Sequence, residues 1–124
     1  MRNMLVVEDD YLVQKVFPRI FDKNFKVDLC DSAEEFYSTY SNKNYDIIIM
    51  DISLKGGKSG IELVHEIKTN PLFTKTPILC LTADVNAKER KNIINLGIDM
   101  FLTKPVSIDI LKNSVESLLK KYNL

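Results

Sequence analysis

Short apolar runs recur along the chain at Met4–Val7, Val27–Cys30, Ile47–Met50, Ile78–Leu81 and Met100–Leu102. The first, third and fourth are apolar without alternation, as strands are when both faces of a parallel sheet are covered. Between the runs the pattern takes on a helical period. Ser32 and Glu35 in "SAEE" form a capping box, and Phe36, Tyr37 and Tyr40 follow at helical spacing. "SGIELVHEIK" sets Ile61, Val64 and Ile67 on one face. "NAKERKNIINLG" opens on Asn86 as N-cap and closes on Gly97 as the glycine beyond a helix end. A last helix begins at Ser107 and carries Ile108, Leu111, Val115, Leu118 and Tyr122 in a stripe. Pro18 falls inside the first helical pattern, where a proline costs about 3 kcal/mol, so a kink or an early end is expected there.

Strand and helix thus alternate as (βα)5. Crossovers between parallel strands are right-handed, so the helices divide between the two faces of the sheet. The expected architecture is α/β, doubly wound and flavodoxin-like, with a five-stranded parallel sheet in the order 2-1-3-4-5. Sites in such sheets lie beyond the carboxyl ends of the strands, near the switch in strand order.

Composition narrows the picture. The 124 residues fit one domain, spanning 1–124, with 45% hydrophobic and 27% charged residues. Lys+Arg and Asp+Glu both total 17, so no net charge draws the chain to nucleic acid or to an anionic membrane. No signal-peptide pattern or membrane-length apolar run is present. Cys30 and Cys80 form no motif and read as small buried residues of a reduced, cytoplasmic protein. His65 has no partner at metal-ligand spacing and reads as a helix-surface residue.

The chemistry gathers at the strand ends. The first strand runs into Glu8, Asp9 and Asp10, the third into Asp51, the fourth into Thr82 and the fifth into Lys104 and Pro105. Asp10 suits the N-cap of the following helix. Carboxylates brought together from the first and third strands repel, by ~4 kcal/mol for charges 4 Å apart at an effective dielectric of 20. A hard divalent cation removes that repulsion, and Mg²⁺ commonly binds through one or two carboxylates together with a phosphate. Thr82 and Lys104 offer a hydroxyl and an ammonium to the same anion.

These stretches, "MLVVEDD", "DIIIMDISL", "GIELVHEIK", "PILCLTA" and "GIDMFLTKP", resemble the receiver domains of two-component response regulators over essentially the whole chain. The resemblance implies that Asp51 is the phospho-acceptor, attacking the phosphohistidine of a sensor histidine kinase or histidine phosphotransfer protein. It implies that Asp9 is the principal acidic ligand of Mg²⁺, with Glu8 in the first acidic position and the backbone carbonyl of Ser53 as a further ligand. Thr82 and Lys104 then bind the phosphoryl group, and Phe101 is the aromatic that pairs with Thr82 in switching. A downstream protein target would meet the face formed by the fourth helix, fifth strand and fifth helix. On this reading the protein is a signalling switch rather than a conventional enzyme, although it catalyses its own phosphorylation and dephosphorylation. It contacts neither nucleic acid nor membrane directly.

The sequence also departs from the family pattern. "DISLKGGKSG" is one residue longer than usual between Asp51 and Gly60, with Lys55 where a proline is frequent. Ser53 and Asp84 occupy positions that tune dephosphorylation in the family, and Phe101 lacks a tyrosine hydroxyl. "GKS" at 57–59 does not make a nucleotide-binding P-loop, because Ile52 stands where that motif needs glycine. An aspartyl phosphatase would want a carboxylate where Ser53 stands. A phosphorylation-independent interaction module on the same fold is the alternative. The sequence leaves open whether the chain acts alone or within a larger regulator or hybrid kinase.

Overall fold

A computed structural model describes residues 1–54, 59–83 and 86–122. Five parallel strands form one sheet: β1 (Arg2–Val7), β2 (Phe25–Cys30), β3 (Ile47–Asp51), β4 (Ile78–Thr82) and β5 (Met100–Thr103). Their spatial order is β2-β1-β3-β4-β5, the doubly wound arrangement expected from the sequence. Every residue of β3 and β4 is buried. Their unbroken apolar runs follow from that, since neither face meets water. β1 and β2 begin two residues earlier than their apolar runs suggest, with Arg2 paired to Phe25.

Two cores lie on the two sheet faces, and strand alternation assigns residues to them. Met4, Val6, Ile47, Ile49, Leu79 and Leu81 pack against helices α1 (Tyr11–Gln14), α2 (Val16–Phe21) and α6 (Ile108–Lys121) through Phe17, Phe21, Leu111, Val115, Leu118 and Leu119. Leu5, Val7, Ile48, Met50, Ile78 and Cys80 face the other layer, α3 (Ala33–Glu35), α4 (Gly60–Thr69) and α5 (Ala87–Asn95).

Pro18 acts one turn upstream of its own position. The helix breaks at Lys15 and restarts at Val16, so Pro18 lies in the first turn of α2. There its missing N–H is not needed, while the bond it would have made to the carbonyl of Gln14 is lost. The caps at Asn86 and Ser107 form as the sequence indicates, to the amides of Glu89 and Ile110. Gly97 takes φ +73°. Ser32 accepts from the Glu35 amide, but the Glu35 carboxylate reaches the N–H of Asp31, one residue before the cap. The segment Phe36–Tyr40 widens into a π turn instead of continuing as α-helix. Two helical faces differ from expectation. In α4, Leu63 is fully buried and Ile61 only partly; in α6, Leu119 is buried while Ile108 is 53% exposed.

Cys30 and Cys80 are free thiols inside the core, and burial pushes both thiols up to about 12. His65 lies exposed on α4. Among the described residues no helix is long and apolar enough to cross a membrane.

Candidate functional site

The carboxyl edge of the sheet collects the charged residues because β1, β3 and β5 all end there, with β4 between the last two. β1 delivers Glu8 and Asp9 just past Val7, which pairs with Met50, the residue before Asp51. Fully burying an aliphatic side chain is worth about 1.5–3 kcal/mol, so the all-buried β3 makes a stiff mount for Asp51. Glu8 is 2% exposed and Asp51 3%. Carboxylate oxygens of Glu8, Asp9 and Asp51 lie within 4.8 Å of one another.

Lys104 provides the opposing charge. Its Nζ donates to Glu8 Oε1 at 3.1 Å and to Asp51 Oδ2 at 3.2 Å. Its own N–H donates to the carbonyl of Thr82 at 2.7 Å, which ties the end of β5 to the end of β4. The closeness of Glu8 to Asp51 shows in the titration of Glu8. Burial first, then the adjacent Asp51 carboxylate, push the Glu8 carboxyl up to about 7, against the pull of the Asp10 N–H and of Lys104. For Lys104, burial is the largest single influence and acts downward. The carboxylates of Asp51 and Glu8 together outweigh it and hold the ammonium above its usual range.

The local hydrogen bonds fix these groups. Ser53 donates its backbone N–H to Asp51 Oδ1 at 2.9 Å, and its side chain is exposed. Asp10 caps α1, accepting from the amides of Leu12 and Val13, as its place after the strand suggests. The Asp10 N–H donates to Glu8 Oε2 at 3.1 Å. Thr82 is 1% exposed and its hydroxyl donates to the carbonyl of Ala83 at 3.0 Å. Phe101 lies two residues back from the end of β5, paired with Cys80. Its half-buried ring packs on the α3–α5 layer, with the Arg90 guanidinium 5.7 Å from its centroid.

The structure therefore joins Glu8, Asp9, Asp51 and Lys104 at one edge, with Thr82 at its β4 side, while Phe101 packs on the α3–α5 layer. Lys55 and Asp84 fall outside the described residues, as do Gly57 and Lys58 of the "GKS" stretch. Ser59 of that stretch caps α4 by accepting from the Glu62 amide.

Two residues of the site were not singled out by the sequence. A Cβ at Gly60 would stand 2.5 Å from the Ile52 Cα and 2.7 Å from the Asp51 carbonyl oxygen. Only glycine lets α4 start so close to the Asp51 backbone. Its signal was a glycine placed at a helix start. The other is Gln14, whose Nε2 donates to the Glu8 carbonyl at 2.7 Å. A glutamine on a helical turn carries no distinguishing signal.

The oxygen-only donor set of Glu8, Asp9 and Asp51 fits a hard divalent cation, since such ions take carboxylate oxygens and offset the repulsion between them. A buried carboxylate beside an ammonium and a cation-binding set is suited to accept an anionic group. Comparison with known proteins gives the family. The response regulator receiver domain family matches residues 4–116, and the chain belongs to that family. It is 30% identical over 120 residues to regulatory protein VanRB of Enterococcus faecalis, covering 97% of this chain and 53% of that protein. It is 32% identical over 122 residues to transcriptional regulatory protein CiaR of Streptococcus pneumoniae, covering 98% and 53%. The chain thus spans about half the length of these relatives. Its fold superposes on a CheY-like receiver domain protein from Methanospirillum hungatei with a TM-score of 0.90, at 20% identity, over 99% of this chain and 97% of that one. Receiver domains are signalling switches of two-component systems.

Proposed function

We propose that the protein is switched by phosphorylation of Asp51, in a reaction that depends on Mg²⁺. The observation that carries this reading is the setting of Asp51: buried at the end of β3, held by the Ser53 N–H and the Lys104 ammonium, with Glu8 and Asp9 within 4.8 Å. A carboxylate oxygen of Asp51 attacks the phosphorus of a phosphohistidine. The P–N bond breaks, the imidazole leaves with the electron pair and takes a proton, and an acyl phosphate remains. Phosphoryl transfer of this kind needs placement and charge neutralisation more than acid–base help. Glu8, Asp9, Asp51 and the carbonyl of Ser53 would hold Mg²⁺, which supplies positive charge to the phosphoryl oxygens. Lys104 supplies the rest, and Thr82 gives its hydroxyl to a phosphoryl oxygen by turning from the Ala83 carbonyl.

The donor is a sensor histidine kinase or a histidine phosphotransfer protein. An apolar groove of about 480 Å³ opens beside Lys104, lined among others by Val13, Phe17, Pro105 and Ile108, and gives such a donor a surface to rest on. Inward movement of Thr82 frees space for Phe101 to turn in, and that alters the face of α5, β5 and α6 for a protein target. The setting is cytoplasmic, where such kinases present their histidines.

The test is intact-mass measurement after incubation with acetyl phosphate, with and without Mg²⁺, beside Asp51→Asn. The expected result is a Mg²⁺-dependent gain of one phosphoryl group that the variant lacks. No gain, under conditions that modify a control receiver, would leave a phosphorylation-independent docking module as the function.

A further inference from the structure

The acidic loop after β1 is held by little apolar burial. Helix α1 has no buried residue, Leu12 is 74% exposed and Tyr11 67%. The helix is a single turn, because it breaks at Lys15. Its apolar hold is the partly buried Val13 and the junction with α2, and polar bonds fix the turn between Glu8 and Gln14. Glu8 is the point to which those bonds run. Its N–H donates to the Cys30 carbonyl at 2.8 Å, its Oε1 accepts from Lys104 and its Oε2 from the Asp10 N–H. Its carbonyl lies beyond the last strand pair, Val7 with Cys30 and Met50, and accepts from Gln14 Nε2 at 2.7 Å. Gln14 is itself bound to the cap, its N–H donating to the Asp10 carbonyl at 2.9 Å.

We propose that Gln14 is a positioning residue for the cation site: its side-chain amide closes the loop from Glu8 to Gln14 and thereby sets where the Glu8 and Asp9 carboxylates stand. This rests on the reading of Glu8, Asp9 and Asp51 as a Mg²⁺ site. The amide touches no reacting atom and acts only through the backbone of Glu8. Without it, the loop can shift by a fraction of an ångström while the fold persists, and an octahedral ion with short ligand distances tolerates such a shift poorly.

The experiment compares wild type with Gln14→Met, which keeps length and loses the donor, and Gln14→Arg, which restores a donor. Mg²⁺ is titrated while the amide resonances of Asp9 and Asp10 are followed by NMR, which reads binding without any phosphorylation. In parallel, the rate of Asp51 phosphorylation by acetyl phosphate is measured against Mg²⁺ concentration. A lost neutral hydrogen bond predicts an Mg²⁺ affinity weakened by about 3–10-fold in Gln14→Met. The half-saturating Mg²⁺ for phosphorylation should rise in step, with a smaller change in the rate at saturation, and Gln14→Arg should recover most of the loss. Wild-type affinity in a folded Gln14→Met, or an equal loss in Gln14→Arg, would overturn the assignment. If Gln14→Met does not fold, Gln14→Arg with wild-type stability and wild-type affinity supports the donor role, and weakened affinity overturns it. Failure of the wild type itself to bind Mg²⁺ would instead sink the cation-site reading on which the assignment stands.

Discussion

Asp51 is pulled in two directions. The ammonium of Lys104 attracts it at 3.2 Å, and carboxylates of Glu8 and Asp9 repel it from within 4.8 Å. Two unit charges at that separation repel by about 3–4 kcal/mol at an effective dielectric of 20. The Asp51 carboxylate is one of the groups that hold the Glu8 carboxyl up, so Asp51→Asn should bring the Glu8 carboxyl down toward its ordinary range. Following the Glu8 side chain by NMR through a pH titration in chelator checks this, and an unchanged Glu8 midpoint would contradict it. Glu8 adds a pH dependence. Its folded-state carboxyl titrates at about 7, above the ordinary value of 4.5, so the native state binds the extra proton between those limits. The stability this proton contributes is fully present below pH 4.5 and is lost as pH rises through about 7. In chelator, Glu8→Gln should flatten the fall in stability between pH 5 and 8 that the wild type shows.

At the scale of elements, the approach of α4 to β3 is decided by one missing Cβ. An alanine at Gly60 would meet backbone atoms of Asp51 and Ile52 at 2.5–2.8 Å, which no rotamer change can relieve. Gly60→Ala should cost about 1–3 kcal/mol in urea unfolding, as overpacking against backbone does. It should also slow phosphorylation of Asp51, because the carboxylate is carried on the displaced segment. The first helix shows the opposite case, where the local rule and the outcome differ by one turn. A proline at position 18 announced an interruption, and the structure puts it at Lys15, where the proline's missing bond falls. The sequence carried the cause, while its position depended on whether the helix could restart and bury Phe17 and Phe21.

Across the whole molecule, the end opposite the site is tied by Asp99. Its carboxylate accepts from the Ile78 N–H at 3.0 Å, pairs with Lys68 at 3.6 Å and accepts from the Tyr122 hydroxyl, so β4, the last turn of α4 and the end of α6 meet there. Asp99→Ala leaves the amide and the ammonium without that partner, and should destabilise the protein by about 2–4 kcal/mol. Tyr122→Phe removes a single bond and should cost about 1 kcal/mol. Both losses should appear in urea unfolding, with little change in Asp51 phosphorylation at a temperature where the variants are folded. A large effect of Tyr122→Phe on phosphorylation would show instead that the two ends of the sheet are coupled.

The alternation of strands and helices, the parallel sheet, the caps at Asn86 and Ser107, and the arrival of Glu8, Asp9, Asp51, Thr82 and Lys104 at one edge were all legible in the order of residues along the chain. These follow from local periodicity and from the rule that parallel strands share a direction, so strand-end residues need no distance information to be grouped. Tertiary structure alone decided that Lys104 bridges Glu8 and Asp51, that Gln14 holds the Glu8 carbonyl, and that α4 needs glycine at its first residue. It also decided that Leu63 and Leu119 are buried where Ile61 is only partly so and Ile108 is exposed. Those outcomes depend on how helices rotate and approach the sheet, and a pattern of apolar residues along a chain leaves that rotation open by about one position.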